Sequence, residues 1–342
     1  MSLSDYHAST ADWRLQLQRN ERKTRLVILT FIAVYLVVGL IVDVFILQSF
    51  YPRATISQCF HALITLQVTP YATLLMAAIA LLSLFIAFAL YDKLMLLGTD
   101  SREITSETAK NLQEQQLYHV VEEMKVAAGL QFMPKVYIIE ANYMNAFASG
   151  YSEKSAMVAI TRGLMEKLDR AELQAVMAHE LSHIRHHDIK LTLMVAILSN
   201  ILLIVVDILF YTVIFKRDRR DDNRMFAVIM VLRYVLPLIT VVLALFLSRT
   251  REYMADAGSV ELMRDNEPMA RALLKISQDH EVNAEQYYQE YGQTAHEQIR
   301  QASYLFDPSD MQPVKSLSSA FSTHPSIPQR LEAIGFKLKR KQ

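Results

Sequence analysis

His179-Glu180-Leu181-Ser182-His183 is where residue type and spacing most plainly permit chemistry. Residues four apart lie on one face of a helix, so both imidazoles can reach a single Zn2+ at about 2.0–2.1 Å. Glu180 then stands beside the ion, placed to take a proton from an activated water. Two solvated histidines on a surface helix would give the same letters, but the flanks argue otherwise: a capped apolar helix precedes the motif and a long apolar run follows it. Catalytic zinc needs a third protein ligand and an open position. Glu252 answers that need. Its setting, Arg249-Thr-Arg-Glu-Tyr-Met-Ala-Asp256, would by itself read as a charged helix start. Beside the histidine motif, Glu252 reads as the third ligand. Asp256, four residues on, shares its helix face and suits the second nitrogen of His179, which must be held for the ring to point correctly. His186 and His187 resemble spare ligands, but their helical spacing directs them elsewhere, to a surface or an interface.

These residues need helices to carry them. Asp169 caps a helix with Glu172 as its capping-box partner, and that helix is expected to run through Leu173, Val176 and Met177 and onward into an apolar run. There are four such runs: Leu26 to Phe50, Ala72 to Leu90, Leu191 to Phe215 and Met225 to Leu247. Each approaches or exceeds the ~20 residues that cross a bilayer core. Apolar residues make up 52% of the 342, which a soluble enzyme of this size rarely shows. Net charge is zero, so nothing in the bulk electrostatics invites nucleic acid. The single cysteine, Cys59, excludes an intrachain disulfide. No phosphate-binding Gly-x-x-x-x-Gly-Lys occurs, so no ATP hydrolysis is expected. The polar, charged first 25 residues do not suit a cleavable signal peptide.

Arg14, Arg19, Arg22, Lys23 and Arg25 precede the first run, and only Arg53 lies between the first two, which places the N-terminus in the cytoplasm. The Lys216 to Arg224 loop, with five basic residues and three aspartates, votes against an external position. The metal site outvotes it. His183 and Glu252 must meet at one ion, so an even number of crossings separates them. Inside the spans, Asp207 and Arg233 fall at matching depth and are expected to pair, with Asp43 near enough to join or else protonated.

The expected order is therefore an N-terminal cytoplasmic segment (1–25), a transmembrane hairpin (26–92, spans 26–50 and 72–90), a first catalytic part (93–190), a second hairpin (191–247, spans 191–215 and 225–247) and a second catalytic part (248–342). Within the first catalytic part, Ser101 to Ala128 reads as a helix ended by Gly129. Lys135 to Glu140 and Ser155 to Thr161 read as strands, and Asn145 to Ala148 as a short strand before a turn. Asn283 to Gln312, rich in Gln, Glu and Tyr, is expected to be partly mobile. The Ser155 to Thr161 strand is expected to offer the edge to which a substrate adds.

Four ordered blocks carry a resemblance: Asn145-Ala-Phe-Ala148, AVMAHELSHIRHHD around the motif, SRTREYMADAGS around Glu252, and SLSSAFSTHPSIPQRLEAI near the C-terminus. Together they resemble the M48 metallopeptidases and, within them, the HtpX-like bacterial membrane proteases. The resemblance implies an α+β, mostly α fold in which four transmembrane helices carry a cytoplasmic gluzincin-type zinc domain with a small β-sheet. It implies an ATP-independent endopeptidase of the bacterial inner membrane, acting on misfolded or damaged membrane proteins. It makes Glu252 the third ligand, with Asp256 behind the ligands and Arg330 beside it. It also assigns Asn145 to substrate backbone and His324 to the oxyanion, a use of polarising donors that is chemically sound. From the residues alone, Asn145 reads as a turn residue and His324 as a helix start before Pro325. The competing functions are a CaaX-type zinc protease, which would want more spans, and a zinc transporter or sensor, which would want its ligands inside the spans.

Overall fold

The computed structural model describes residues 3–8, 13–96, 99–150, 152–216, 223–293, 304–306 and 322–338. The chain divides into two units. One comprises Met1–Thr24, Phe88–Leu191 and Leu247–Gln342; the other comprises Arg25–Ala87 and Thr192–Phe246. The fold is mostly helical, with a small mixed sheet.

In the first unit the sheet runs β2 (Ser101–Ile104), β3 (Lys135–Ile139), β5 (Met157–Thr161), β4 (Ala146–Ser149). β3 and β5 are parallel; the two outer pairings are antiparallel. The strand at Met157–Thr161 therefore lies inside the sheet, flanked on both sides, and offers no edge. The edges are β2 and β4, which corrects the expected position of substrate addition.

Helix α4 spans Leu112–Ala128, not the expected Ser101 to Ala128. Residues 101–104 pair with β3, and reciprocal bonds between Thr105 and Thr108 turn the chain before the Asn111 cap starts the helix. Leu117, Val120, Val121 and Met124 then fill one face, and Gly129 ends the helix at φ 71°, a conformation that costs glycine little. That face packs on Leu173, Val176 and Met177 of α6 (Arg170–Arg185), itself started by the Asp169–Glu172 capping box. α6 does not continue into the next apolar helix. It stops at His186, His187 takes φ 54°, and α7 begins afresh at Asp188 and runs to Lys216.

α8 spans Asn223–Met263 without interruption, so Glu252 and Asp256 ride on the extension of an apolar helix. α9 (Glu267–Val282) and α10 (Ala284–Gln293) follow. Tyr287 and Tyr291 of α10 and the short segment 304–306 are buried, so these parts of the polar stretch are ordered; 294–303 and 307–312 lie outside the described residues. Last come α11 (Ile327–Ala333) and β6 (Phe336–Leu338). β6 pairs antiparallel with β1 (Tyr6–Ala8), tying the first described residues to the last.

In the second unit, parts of α1 (Trp13–Phe50), α3 (Tyr71–Leu96), α7 and α8 pack through Val38, Met76, Ala80, Leu202 and Leu236. Between α1 and α3, Thr55 and Gln58 box a short helix, α2 (Ile56–Ile64), whose Cys59 is buried. Among the described residues, three helices are long and apolar enough to cross a membrane: Gln18–Phe50, Met194–Thr212 and Phe226–Met263. A shorter apolar helix covers Tyr71–Ile86. Arg233 meets Asp207 at 2.9 Å and lies 3.9 Å over the Phe210 ring. Asp43 takes a different role from the one expected. Its carboxylate accepts from the backbone N–H groups of Ala72 and Thr73 and from Thr73 Oγ1, capping the start of α3, where unpaired N–H groups favour an anion. Residues 217–222 of the basic loop lie outside the described residues.

Candidate metal centre

α6 presents His179, Glu180 and His183 inward, all buried. α8 crosses it closely. A Cβ on Gly258 would stand 2.4 Å from Ser182 Oγ, so glycine is what lets the two helices approach. Ser259 Oγ donates to Ala175 O at 2.7 Å and pins the crossing.

The crossing brings three ligand atoms together. His179 Nε2 and His183 Nε2 are 3.2 Å apart. Glu252 sets one oxygen 3.5 Å from His183 Nε2 and the other 3.7 Å from His179 Nε2. Metal–ligand bonds near 2.0–2.2 Å at tetrahedral angles require separations of about 3.3–3.6 Å. One ligand atom from each of the three side chains lies within 4.8 Å of the others, close to that spacing, so the three can share one cation, and among the described residues they are the one group of His, Cys, Asp and Glu side chains that can do so.

Behind each imidazole stands a carboxylate, and behind each carboxylate an arginine. His179 Nδ1 lies 3.0 Å from Asp256, which is gripped by both Arg330 Nε (2.9 Å) and Nη2 (2.7 Å). His183 Nδ1 lies 2.8 Å from Asp188, whose other oxygen faces Arg251 Nε at 3.3 Å. Such pairs fix which ring nitrogen faces the metal. Burial opposes ionisation of Asp188, yet Arg251 and His183 outweigh it and hold its pKa below the usual carboxylate value. The two arginines offset charge that burial would otherwise make costly.

Sequence reasoning placed Asp256 and Arg330 but missed Asp188 and Arg251. Asp188 is five residues beyond His183, about 140° round a continuous helix. Only the left-handed turn at His187 swings it back. The available signal was the dense His186-His187-Asp188 run itself. Arg251, in the Arg249–Asp256 run, reads from the sequence as part of a charged helix start.

Glu180 is 1% exposed, and both carboxylate oxygens lack a hydrogen-bond partner among the described residues. The Ala148 N–H of β4 pulls on it without forming a full bond. Burial pushes its carboxyl up to about 7, with His183 and Arg330 pulling back, which suits a group that must both take and return a proton near neutrality. His324 sits with Nδ1 3.2 Å from Glu252, so it joins the cluster. Asn145 does not present its amide to it. Its Nδ2 donates to Tyr291 Oη and Phe306 O, and its Oδ1 accepts from the N–H groups of Ala146 and Phe306. The side chain assigned to substrate by resemblance is spent on the chain's own segment.

A buried pair of imidazoles and two carboxylates, one ligating in geometry and one unpartnered, defines a metalloprotease centre, and the long apolar helices make it a membrane metalloprotease. The model of peptidase family M48 matches residues 111–336, and the chain belongs to that family, in its HtpX-like branch. A protease HtpX homolog of Helicobacter pylori (strain Shi470) is 38% identical over 318 residues, covering 93% of this chain and 96% of that protein. Another, from Streptococcus uberis, is 39% identical over 243 residues, covering 68% and 75%. A crystal structure of S. mikatae Ste24p aligns over 96% of this chain and 67% of its own at 16% identity and a TM-score of 0.48, too loose to bear on the site.

Proposed function

We propose that this is a zinc-dependent endopeptidase of the bacterial inner membrane. It cuts misfolded or damaged membrane proteins on the cytoplasmic side, as quality control, without ATP and without binding nucleic acid. The reading has four spans, at 26–50, 72–90, 191–215 and 225–247, with both termini and the catalytic parts in the cytoplasm. The basic N-terminal segment supports that orientation, and the shared cluster of His183 and Glu252 supports paired crossings between them.

His179, His183 and Glu252 hold the metal, and Asp256, Asp188, Arg330 and Arg251 hold the ligands. When bound, a zinc ion supplies Lewis acidity that polarises a peptide carbonyl and acidifies water. The remaining steps belong to side chains. Glu180 takes one proton from the attacking water as its oxygen bonds to the carbonyl carbon. It returns that proton to the nitrogen as the C–N bond breaks, so acid and amine leave in balance. His324 supports the developing negative charge. The substrate adds as a strand to the β4 edge, where Ala148 faces Glu180.

The observation that carries this reading is the unpartnered, buried Glu180 beside three convergent ligand atoms. Purified full chain in detergent should cleave casein, and Glu180→Gln should keep its metal and lose cleavage, because an amide cannot act as a base. Cleavage within tenfold of the parent by a metal-replete Glu180→Gln protein would remove Glu180 from this role.

A further inference from the structure

The β4 edge is not open along its whole length. Successive residues of an edge strand point their backbone groups alternately toward the neighbouring strand and away from it. Thr161 N–H donates to Asn145 O, so Asn145 faces β5. Ala146 and Ala148 therefore face away, on the side where Ala148 meets Glu180. These two residues carry the backbone groups that an added strand would use.

Ala146 has already spent its pair. Its C=O accepts from Leu305 N–H at 2.9 Å, and its N–H donates to Asn145 Oδ1 at 3.1 Å. The segment that does this, Tyr304 to Phe306, is fixed from several sides. Phe306 N–H and C=O both bond the Asn145 amide, at 3.1 and 2.9 Å. Leu305 C=O accepts from Arg330 Nη1 at 2.8 Å. The Phe306 ring stacks on His280 at 4.1 Å, and Tyr304 meets Tyr143, Phe147 and Tyr291 edge-on or tilted. All three residues are buried. Ala148 has no such cover: its outward N–H lies toward the Glu180 carboxylate, and among the described residues no other backbone segment is hydrogen-bonded to its outward side.

We infer that the Tyr304–Phe306 segment is a built-in stop, an intramolecular segment that closes the Ala146 end of the substrate edge and sets the substrate's register against Glu180. The inference rests on the proteolytic reading above and adds a specificity determinant to it. A substrate strand pairs at Ala148 and continues in one direction only. On the other side of the scissile bond the peptide must leave the sheet after the first residue or so, and its backbone is not read there. Asn145 acts as a positioning residue for the stop, since its amide joins Ala146 to Phe306. Arg330 links the stop to the metal ligands, because the same guanidinium holds Leu305 O and Asp256.

The test uses full-length protein in detergent and synthetic fluorogenic peptides built around one casein site that the enzyme cuts. The peptides are lengthened one residue at a time, separately on each side of the cut. Each backbone hydrogen bond gained should raise kcat/KM by about fivefold. The expected result is such a rise on one side and less than twofold change beyond the first residue on the other. N-methylation of successive peptide nitrogens, read on the unmodified enzyme, should cost activity on the open side alone. Leu305→Pro removes the N–H that covers Ala146, and Phe306→Ala loosens the segment without touching that bond. Either should restore length dependence on the stopped side while metal content stays unchanged. Equal length dependence on both sides in the parent, or equal sensitivity to N-methylation, overturns the stop even if both variants fail to fold. If no peptide is cut in a Glu180-dependent way, the proteolytic reading falls first and the stop with it.

Discussion

Asp188→Asn separates what the second carboxylate does for the metal from what it does for the fold. The amide keeps the shape of the side chain, and its oxygen still accepts from His183 Nδ1. What is lost is the negative charge that strengthens the 2.8 Å bond and faces Arg251 at 3.3 Å. Weakening such a support to a ligand histidine costs about 10–100-fold in metal affinity, equal to roughly 1.4–2.7 kcal/mol. Arg251 is 7% exposed and would be left without its opposite charge there, which typically costs about 3–5 kcal/mol when a buried pair is broken. The two effects come apart in a double variant. Asp188→Asn with Arg251→Met should regain thermal stability relative to Asp188→Asn alone, yet should not regain zinc affinity. Chelator competition would give the affinity and thermal unfolding in detergent the stability, both in a Glu180→Gln background that prevents self-cleavage. Zinc affinity within twofold of the parent in Asp188→Asn would refute the view that this carboxylate holds His183. Full recovery of both properties in the double variant would show that Arg251 alone caused the damage.

Gly258→Ala places a methyl 2.4 Å from Ser182 Oγ, between the two ligand-bearing helices. It should cost about 1–3 kcal/mol in stability and lose most of the bound zinc; a variant with full metal content would mean that α6 and α8 can separate freely. Burial holds His280 down at about 4 against the usual 6.5, so the folded protein binds fewer protons than the unfolded chain between those values. Its contribution is complete above pH 6.5 and fades as the pH falls toward 4, by roughly 3 kcal/mol in all, and the gap in thermal midpoint between the parent and His280→Phe should shift across that window. Parallel midpoint curves from pH 7 to 4.5 would count against a neutral buried His280. Arg233→Leu should destabilise the protein in detergent more than Arg233→Leu with Asp207→Leu, since only the single change leaves a carboxylate facing apolar surroundings. Equal stability of the two would mean that the 2.9 Å pair does nothing for the helices.

The parts of the site that were legible in the sequence are those governed by local helical spacing. His179 and His183, four apart, and Glu252 and Asp256, four apart, each share a helix face whatever the rest of the fold does. The capping box at Asp169 and the αL glycine at Gly129 are also local. What escaped depended on breaks and on distant pairings. Asp188 required a left-handed residue at His187, which nothing in histidine demands. Residues 101–104 became a strand because β3 lay beside them, against a helical pattern that began in earnest only at Leu112. Asp43, with its charge at the right depth for Arg233, was nearer to the bare N–H groups at the start of α3. The expectation of 155–161 as the edge strand failed because edge or interior is a property of sheet order, which puts 146–149 at the edge. The Tyr304–Phe306 segment lay in a stretch whose polar composition concealed three buried residues.

The pairing of β1 with β6 has a consequence in time. A ribosome delivers residue 180 roughly 8–30 seconds before residue 330, at about 5–20 residues per second. Until then Asp256 lacks the guanidinium that grips it, and until residue 338 emerges the strand at 6–8 lacks its β6 partner. The Arg330 grip on Asp256 and the β1–β6 pair thus form later than the helices that carry His179, His183 and Glu252. A protease whose ligand support arrives this late in synthesis has its Asp256 carboxylate held only after most of the metal site has already been made.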